Sequence, residues 1–392
     1  MTKMPITLAV SLLTLGSLRA DPEPSPGSMA PEPKPVATKP WLIGTLHCPL
    51  WGSPERWDPI RKFPDREPLL GFYEEGNPDV TDWEIKWSLD HGISFFLVCW
   101  YRAKDNYGLT VRPAFDHWIN SLPEARYGEM TRYVIMYENG NRNFDGRTSR
   151  EDWERNLVPF WIANYFTQSN YLVIDNKPLV GVYNVPRLVE DLGGIEGAKE
   201  AFEFAREECR KAGFDGLYII GQYCWGAPRA LEKIAATIEK TGMDASWAYH
   251  WPTFARVLGD ELRPSSQQVI EAQEQLWHAQ QQPNILTLSM GWDSEPWRFS
   301  STRVQWRLTP DEFEELSVRA KRVMEQRTGN DLASRMLLID CWNEFGEGHY
   351  VLPTREHGFS YLEAIKKVFA SGENEQPDAA PGISDAPNRN AE

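Results

Sequence analysis

The sequence is poor in the features that mark metal, nucleotide and nucleic-acid proteins. It has five cysteines in 392 residues without a CxxC or CxxxH spacing, and it has no HxH or HExxH pattern, so we predict no metal site. No glycine-rich loop follows an apolar run, and we expect no cofactor. Basic residues are outnumbered, with 41 lysines and arginines against 56 acids and a net charge of -15. Nucleic acid and anionic membranes are therefore poor partners.

The cysteine count is odd, which leaves at least one thiol unpaired. Four of the five lie within or at the end of apolar β-like runs, where we interpret them as small buried side chains. A disulfide between neighbouring strands is the alternative in an oxidising compartment, and spacing does not decide between the two. The residues are Cys48, Cys99, Cys209, Cys224 and Cys341.

Long apolar runs are also missing, apart from one at the N-terminus. Residues 1–20 place the positive Lys3 before a mostly apolar stretch, residues 6–18, and end on the small residue Ala20. This pattern is typical of a secretory signal peptide, so we predict a secreted or periplasmic protein that begins near Asp21. A membrane anchor is the competing interpretation, but the stretch is shorter than the roughly 20 residues that span a bilayer. We expect no membrane span and a monomer.

Two segments of biased composition flank the main part of the chain. Residues 21–39 contain six prolines and no apolar periodicity, and residues 371–392 are rich in Pro, Asp, Asn and Ala. Such segments bury too little apolar surface to fold, so we predict a disordered linker and a disordered tail. Residues 40–370 contain no internal linker, which favours one catalytic domain of a size that is ordinary for an α/β barrel.

Eight short apolar runs alternate with amphipathic helical stretches. Each run is apolar along nearly its whole length and each connection has room for a helix, which is typical of a parallel sheet buried on both faces. Thr81 and Thr309, each with a glutamate three residues later, mark helix starts. The predicted fold class is α/β, a single (β/α)8 TIM barrel; two doubly wound domains are the alternative, but no phosphate loop follows a strand. The predicted strands span residues 41–48, 94–100, 132–138, 178–184, 217–223, 244–250, 285–292 and 337–342.

Tryptophan is abundant, with 17 residues, and several follow predicted strands. In a TIM barrel, function gathers where strands end and the βα loops begin. Indole rings suit the C–H faces of sugars, so we predict a sugar site lined by tryptophan. The alternative is that large aromatic side chains simply fill the barrel mouth. The residues at strand ends are Trp51, Trp100, Trp225, Trp251, Trp292 and Trp342.

Polar side chains follow the same strands and complete the predicted substrate-binding set. Buried polar groups need partners, which here are expected to be one another or the substrate. Histidines separated this widely are more often hydrogen-bonding residues than metal ligands. The polar candidates are His47, Tyr101, Arg102, Glu138, Asn139, Tyr249, His250, Asp293, Arg298 and Asn343.

The strongest local pattern is CWNEFGEGHYVLP, residues 341–353, immediately after the eighth predicted strand. It places Glu344 and Glu347 three residues apart in a loop where Gly346 and Gly348 allow close approach of a ligand. Cleavage of a glycosidic bond needs one carboxyl group to protonate the leaving oxygen and a second as base or nucleophile, commonly ~5 to 9 Å apart. We therefore predict Glu344 and Glu347 as the catalytic pair. The alternative is that one of them caps a helix or pairs with an arginine.

The segments WNEFGEGHYVLP and HGFSYLEAI resemble the closing motif of glycoside hydrolase family 99-like proteins. Weaker matches precede them at HCPLWG, DVTDWEIKWSLDHGISFFLVCWY, YFTQSNYLVIDNKPLVGVYNVPRL and GWDSEPWR, so the resemblance covers nearly all of residues 41–369. The family pairs endo-acting α-mannosidases with polysaccharide-biosynthesis proteins described as glycosyltransferases. The resemblance implies a retaining α-mannoside enzyme in which Glu344 is the base and Glu347 the acid/base. Phe345 between the pair, and ENGNR at the third strand, depart from the family pattern and concern the sugar subsites.

The two roles imply different protonation states. The acid/base must hold a proton at working pH, so we expect the pKa of Glu347 to be raised above ~4.3 and Glu344 to stay ionised. Glu138 is the main rival for the acid role, and we expect it to bind substrate instead.

Three functions are consistent with these patterns. An exported glycoside hydrolase acting on α-mannoside-type linkages of a polysaccharide or glycan is favoured, because export places it with extracellular polysaccharide and both carboxylates are present. A glycosyltransferase of envelope polysaccharide synthesis is the first alternative, although sugar nucleotides are cytoplasmic and no phosphate-binding loop is evident. A non-catalytic carbohydrate-binding barrel is the second.

Overall fold

The computed structural model describes residues 24–372, apart from residues 104–110, 112, 141–147, 224–227, 253–255, 280–282 and 298–303. Eight parallel strands lie at its centre, one in each apolar run that predicted a strand. They span Leu42–His47 (β1), Phe95–Trp100 (β2), Arg132–Tyr137 (β3), Lys177–Val182 (β4), Tyr218–Gln222 (β5), Ala245–Trp247 (β6), Leu286–Leu288 (β7) and Met336–Ile339 (β8).

The strands pair in chain order and close on themselves. β1 lies between β2 and β8, with Thr45 opposite Phe96 on one side and opposite Ile339 on the other. Pairing continues from β2 to β6, and β8 also pairs with β7. A parallel bridge between Ser246 in β6 and Asn284, two residues before β7, completes the circle. The predicted single (β/α)8 barrel is therefore confirmed.

Helices occupy the connections between the strands. The predicted cap at Thr309 is confirmed, because its hydroxyl accepts from the N–H of Glu312 and its own N–H donates to the Glu312 carboxylate. The cap predicted at Thr81 is wrong, since that helix starts earlier, behind Asn77. None of the helices in the described residues is long and apolar enough to cross a bilayer. The α-helices are Pro78–Asp90, His117–Ser121, Arg150–Asp152, Val158–Trp161, Val185–Asp191, Ile195–Lys211, Pro228–Thr241, Ser266–His278, Pro310–Glu325, Leu332–Arg335 and Ser360–Phe369, with π-helical turns at Trp153–Leu157 and Ile162–Phe166.

Residues 24–39 lie against the barrel, so the prediction of a disordered linker is wrong for this segment. The carbonyl of Ser28 accepts from the indole of Trp83 at 2.9 Å, and that of Ala30 accepts from Arg126 Nη2 at 2.8 Å. Proline removes backbone donors but leaves every carbonyl in need of a partner, and donors on the barrel surface supply them. The predicted signal peptide and all but two residues of the predicted tail lie outside the described residues.

The four described cysteines are buried and free. Cys48 Sγ lies 3.6 Å from Cys99 Sγ and 3.7 Å from Cys341 Sγ, well beyond the length of a disulfide. Burial raises the pKa of Cys209 to about 12, so its thiol stays protonated. The interpretation as small buried side chains is confirmed for these four, and Cys224 lies outside the described residues.

Candidate active site

A cavity of about 440 Å³ opens at the C-terminal end of the barrel. A volume of this order is typical of a pocket for a small ligand. Its lining residues come from the ends of most of the barrel strands or from the loops that follow them, where TIM barrels carry their sites. They are Leu50, Arg56, Cys99, Tyr101, Phe115, Met136, Glu138, Gly140, Tyr183, Asn184, Tyr249, Trp297, Glu344 and Glu347.

The loop after β8 carries both predicted glutamates and is anchored by Asn343. Asn343 Oδ1 accepts from the backbone N–H of Cys48 at 2.8 Å, and its Nδ2 donates to Glu75 Oε1 at 2.8 Å. Its carbonyl accepts from the indole of Trp51 at 2.9 Å. Asn343 is fully buried, so these bonds fix the backbone from which Glu344 projects.

Arg66, in the loop after β1, ties the same loop to the loop after β7. Its Nη1 donates to the carbonyls of Phe345 and Asp293 at 2.8 and 2.9 Å, and its Nη2 donates to the Asp293 carboxylate at 2.6 Å. Arg66 is only 2% exposed, and charge-assisted bonds in such surroundings are strong. Loops from three strands are therefore held together beside the cavity.

Glu344 is the drier of the two glutamates. The residue is 4% exposed, and its Oε1 accepts from the indole of Trp297 and from the N–H of Gly346, both at 3.1 Å. A Cβ atom on Gly346 would lie 1.8 Å from Trp297 Nε1, so the absence of a side chain there lets the indole reach Glu344. Burial, followed by the negative charge of Glu347, raises the pKa of Glu344 to about 7.

Glu347 is more exposed to solvent than Glu344, with 19% of its side chain accessible, and two side chains contact its carboxylate. Its Oε2 accepts from the Tyr249 hydroxyl at 2.6 Å and lies 3.1 Å from His349 Nε2. The sequence assigned the raised pKa to Glu347 and the charge to Glu344. The expectation for Glu344 is wrong, because the indole and the loop backbone bury this carboxyl group and its pKa is the raised one.

His349, Asp340 and His250 lie behind Glu347 and are the group of described residues with the spacing of a metal site. One ligand atom from each lies within 4.8 Å of the others. However, all three side chains are 0% exposed, and the ring of Trp292 packs 4.7 Å from that of His250. Three protein ligands leave a metal with a further position to fill, and none of these three side chains is open to solvent. The group fits a hydrogen-bonded array better than a metal centre.

The sequence and fold relatives of the chain agree with this barrel. A family model described as glycosyltransferase WbsX matches residues 62–365. The chain belongs to the WbsX family. Among curated proteins, an uncharacterized protein WxcX of Xanthomonas campestris pv. campestris (strain B100) is 22% identical over 333 residues, which are 80% of this chain and 44% of that protein. The chain thus spans less than half the length of the curated relatives it matches.

Solved structures show the same architecture as this WbsX-family chain. A family 99 endo-alpha-mannosidase from Bacteroides thetaiotaomicron superimposes with a TM-score of 0.56 at 17% identity, over 83% of this chain and 95% of that one. A glycoside hydrolase-like protein gives a TM-score of 0.57 at 18% identity, over 88% and 98% of the two chains. The resemblance to glycoside hydrolase family 99-like proteins is confirmed at the level of the family and the fold.

Three predicted binding residues of this WbsX-family barrel line the cavity beside the glutamate pair. Tyr101 directly follows β2, and burial raises the pKa of its hydroxyl well above the usual value. Glu138 follows β3, is 6% exposed, and accepts from the N–H of Gly140 at 3.0 Å through Oε1. Tyr249 follows β6 and donates to Glu347, as described above. These positions are compatible with direct contact to a substrate.

The five described tryptophans of the predicted ring do not line the cavity. Trp100 Nε1 donates to the Tyr165 hydroxyl at 2.8 Å, and the ring of Trp51 stacks 4.0 Å from that of Trp57. The burial of these indoles agrees with the alternative that large aromatic side chains fill the barrel mouth. The strand-end tryptophans that are at most 2% exposed and do not border the cavity are Trp51, Trp100, Trp251, Trp292 and Trp342.

Several predicted polar residues support the site from behind and do not line it. His47 is fully buried with Nε2 3.7 Å from Glu84, and the Asn139 amide exchanges hydrogen bonds of 2.9 and 2.7 Å with the Asn184 backbone. Trp225 and Arg298 lie outside the described residues. Others with partners inside the protein are Arg102 with Asp152, His250 with Asp340, Asp293 with Arg66, and Asn343 with Glu75.

Sequence reasoning missed several residues of the site, including Trp297, His349, Asp340 and Arg66. Trp297 stands in the GWDSEPWR segment and His349 in GEGHYV, so both were within reach of a closer reading of those motifs. Asp340 directly precedes the cysteine that opens the loop motif. Arg66 lies in a loop of short 3-10 turns that carries no periodic signal, and nothing in the sequence marks it.

Proposed function

We propose that this WbsX-family protein is an exported, retaining glycoside hydrolase that acts on α-mannoside-type linkages of a polysaccharide or glycan. The observation that carries the proposal is the pair Glu344 and Glu347, which share one cavity at the barrel mouth in opposite environments. Hydrolysis of a glycoside needs one carboxyl group that holds a proton and one that is ionised. Groups whose surroundings separate their protonation states are the usual mark of such a pair.

Glu344 is proposed as the base and Glu347 as the acid/base, as the family resemblance implies. The two carboxyl groups interact, so they titrate as a pair that holds one proton over a range of pH. In the ligand-free protein that proton belongs on the drier Glu344, and substrate binding must transfer it to Glu347. Because the pKa of Glu344 is about 7, Glu344 loses its proton above that value. Activity is therefore expected to fall as the pH rises above about 7, which a kcat/KM profile measures.

The surroundings of the pair favour a sugar over other substrates. Trp297 and the tyrosines Tyr101, Tyr183 and Tyr249 offer aromatic faces with polar tips, which suit sugar rings and their hydroxyls. The α-mannoside linkage is proposed from the closing motif and from the likeness to a family 99 endo-alpha-mannosidase. Export is proposed from the apolar N-terminal residues 1–20 alone.

A glycosyltransferase is the second candidate, and the description of the family model favours it. A sugar nucleotide carries two phosphate charges that need cationic partners or a helix N-terminus. Among the lining residues that the structure describes, the three carboxylates of Glu138, Glu344 and Glu347 outnumber the guanidinium of Arg56. This balance of charge disfavours a diphosphate and favours a neutral glycan.

The experiment is an assay of the purified protein and its E344Q and E347Q variants on α-mannosides, other glycans and sugar nucleotides. With an active substrate found, E347Q should damage natural glycans more than aryl glycosides, because an activated leaving group needs less protonation. E344Q should damage both alike, each loss being on the order of 10²-fold or more. Near-normal activity in both variants would contradict the assignment of Glu344 and Glu347 as the catalytic pair. If E344Q instead damages natural glycans more than aryl glycosides, Glu344 is the acid/base and Glu347 is the base. If the wild-type protein binds a glycan but does not turn it over, the non-catalytic carbohydrate-binding barrel is the function that remains.

A further inference from the structure

A buried row of titratable side chains runs from Glu347 away from the cavity. Its members are Glu347, His349, Asp340 and His250, with successive N···O distances of 3.1, 3.4 and 3.0 Å. We propose that His349 is a positioning residue that holds Glu347 in its catalytic orientation, with Asp340 and His250 as its anchor. The proposal rests on the proposed function, and it concerns side chains that the glutamate-pair argument leaves unused.

Two hydrogen bonds fix the orientation of the Glu347 carboxylate. Oε2 of Glu347 is held by two groups, Tyr249 at 2.6 Å and His349 at 3.1 Å, and both donors are themselves buried. A carboxylate held twice at one oxygen cannot rotate freely, so the other oxygen is presented to the cavity in a defined direction. Misplacing a reacting group by about 1 Å can cost 10²-fold in rate, which makes such a hold useful.

The surroundings of His349 favour its charged form. His349 is fully buried between two carboxylates, and burial alone would lower its pKa, but the contacts with Asp340 and Glu347 raise it well above the usual value. His250 is the opposite case, because burial lowers its pKa to about 4 and leaves it neutral. A cation at His349 stabilises the carboxylate that forms when Glu347 gives its proton to a leaving group. The titratable groups that face His349 are Asp340, Glu347, His250, Cys341, Tyr249 and Glu344.

The anchor itself is well tied. Asp340 Oδ2 lies 3.0 Å from His250 Nδ1, and its Oδ1 accepts from the N–H of Cys341 at 3.0 Å. The two histidines come from different segments, after β6 and after β8, so Asp340 at the end of β8 joins them. With Trp292 packed 5.4 Å from the ring of His349, the row is closed to solvent on that side.

The test reads the charge of His349 directly, in protein labelled with 15N in the imidazole rings. The signal that disappears in H349Q identifies His349, and the exposed His278 serves as the control. We expect His349 to be protonated at pH 7 in the wild type, and its pKa to fall by on the order of one pH unit or more in E347Q. D340N should have the same effect, and E347Q decides the matter by itself if D340N does not fold. A neutral His349 at pH 7, an unchanged titration in E347Q, or one bound zinc per chain in the purified protein overturns the proposal.

A second arm separates this proposal from the proposed function. On an active substrate, H349Q should lower kcat by on the order of 10-fold or more while KM changes little, because orientation matters most in the transition state. Wild-type kcat in H349Q overturns the positioning role and leaves the glycosidase intact. If the wild-type protein turns over no glycan, the proposed function fails, and with it the catalytic role of His349. The titration still decides whether His349 is coupled to Glu347.

Discussion

Replacing Glu344 by glutamine should make the protein more stable at alkaline pH. Glu344 is nearly inaccessible to solvent, and its pKa is raised from 4.5 to about 7. The folded state therefore binds the proton more tightly than the unfolded state. Stability attached to this group is fully present below pH 4.5 and is lost as the pH rises to about 7. Glutamine mimics the protonated acid, and its carbonyl can still accept from Trp297 and Gly346.

The magnitude follows from the size of that change. A difference of roughly 2.5 pH units at 1.36 kcal/mol per unit corresponds to about 3 kcal/mol. E344Q should thus match the wild type near pH 4.5 and unfold with a free energy about 3 kcal/mol greater at pH 8.

Urea unfolding followed by tryptophan fluorescence at several pH values measures this difference. The matched control is E239Q, an exposed glutamate on the helix Pro228–Thr241, which should leave the pH dependence of the wild type unchanged. A gap between E344Q and the wild type that stays constant from pH 4.5 to pH 8 would refute the reasoning. If E344Q is less stable than the wild type at pH 8, the reasoning is also refuted, because the folded protein would then stabilise the charged form of Glu344.

Three further predictions concern the cavity. In W297F, the change of intrinsic fluorescence on saturation with an active oligosaccharide should be largely lost, since Trp297 is the tryptophan among the described residues that lines the cavity. W87F is the control, and an unaltered response in W297F counts against this cavity as the binding site. E138Q should weaken binding, seen as a higher KM, but retain turnover; complete loss of turnover in a folded E138Q would move the acid role to Glu138. G346A should displace the Trp297 indole and lower kcat/KM on the order of 10-fold or more. G27A is the control and should not lower kcat/KM, because an added Cβ atom meets nothing there. Full activity of G346A would show that the indole contact is dispensable.

The barrel could be predicted from the sequence because the pattern of its strands and helices is local and repeated. Each strand is a short apolar run, as in FFLVCW at β2, and each run is followed by enough chain for a helix. The position of Glu344 and Glu347 at the barrel mouth followed from the same logic, since the loop motif comes directly after β8. The Thr309 cap is similarly local, because both of its partners lie within four residues of chain.

The finer chemistry of the site was not legible because it depends on contacts between distant residues. Whether Glu344 or Glu347 is dry is decided by Trp297, which reaches the pair from the loop after β7. His250 and Asp340 are 90 residues apart in the chain and meet only in the barrel. The tryptophan count indicated an aromatic mouth but not which way each indole faces, and Trp100 turns inward to Tyr165. No periodic pattern carries such information.

The guanidinium of Arg66 has a consequence for the engineering of this barrel. Because one buried side chain bonds to backbone carbonyls at both Asp293 and Phe345, the loops after β1, β7 and β8 form one structural unit. Grafting a single one of these loops from a relative with another specificity should leave two carbonyls without a donor or a cation without a partner. Exchange of all three loops together, with their own arginine, is the transplant that keeps the mouth of the barrel intact.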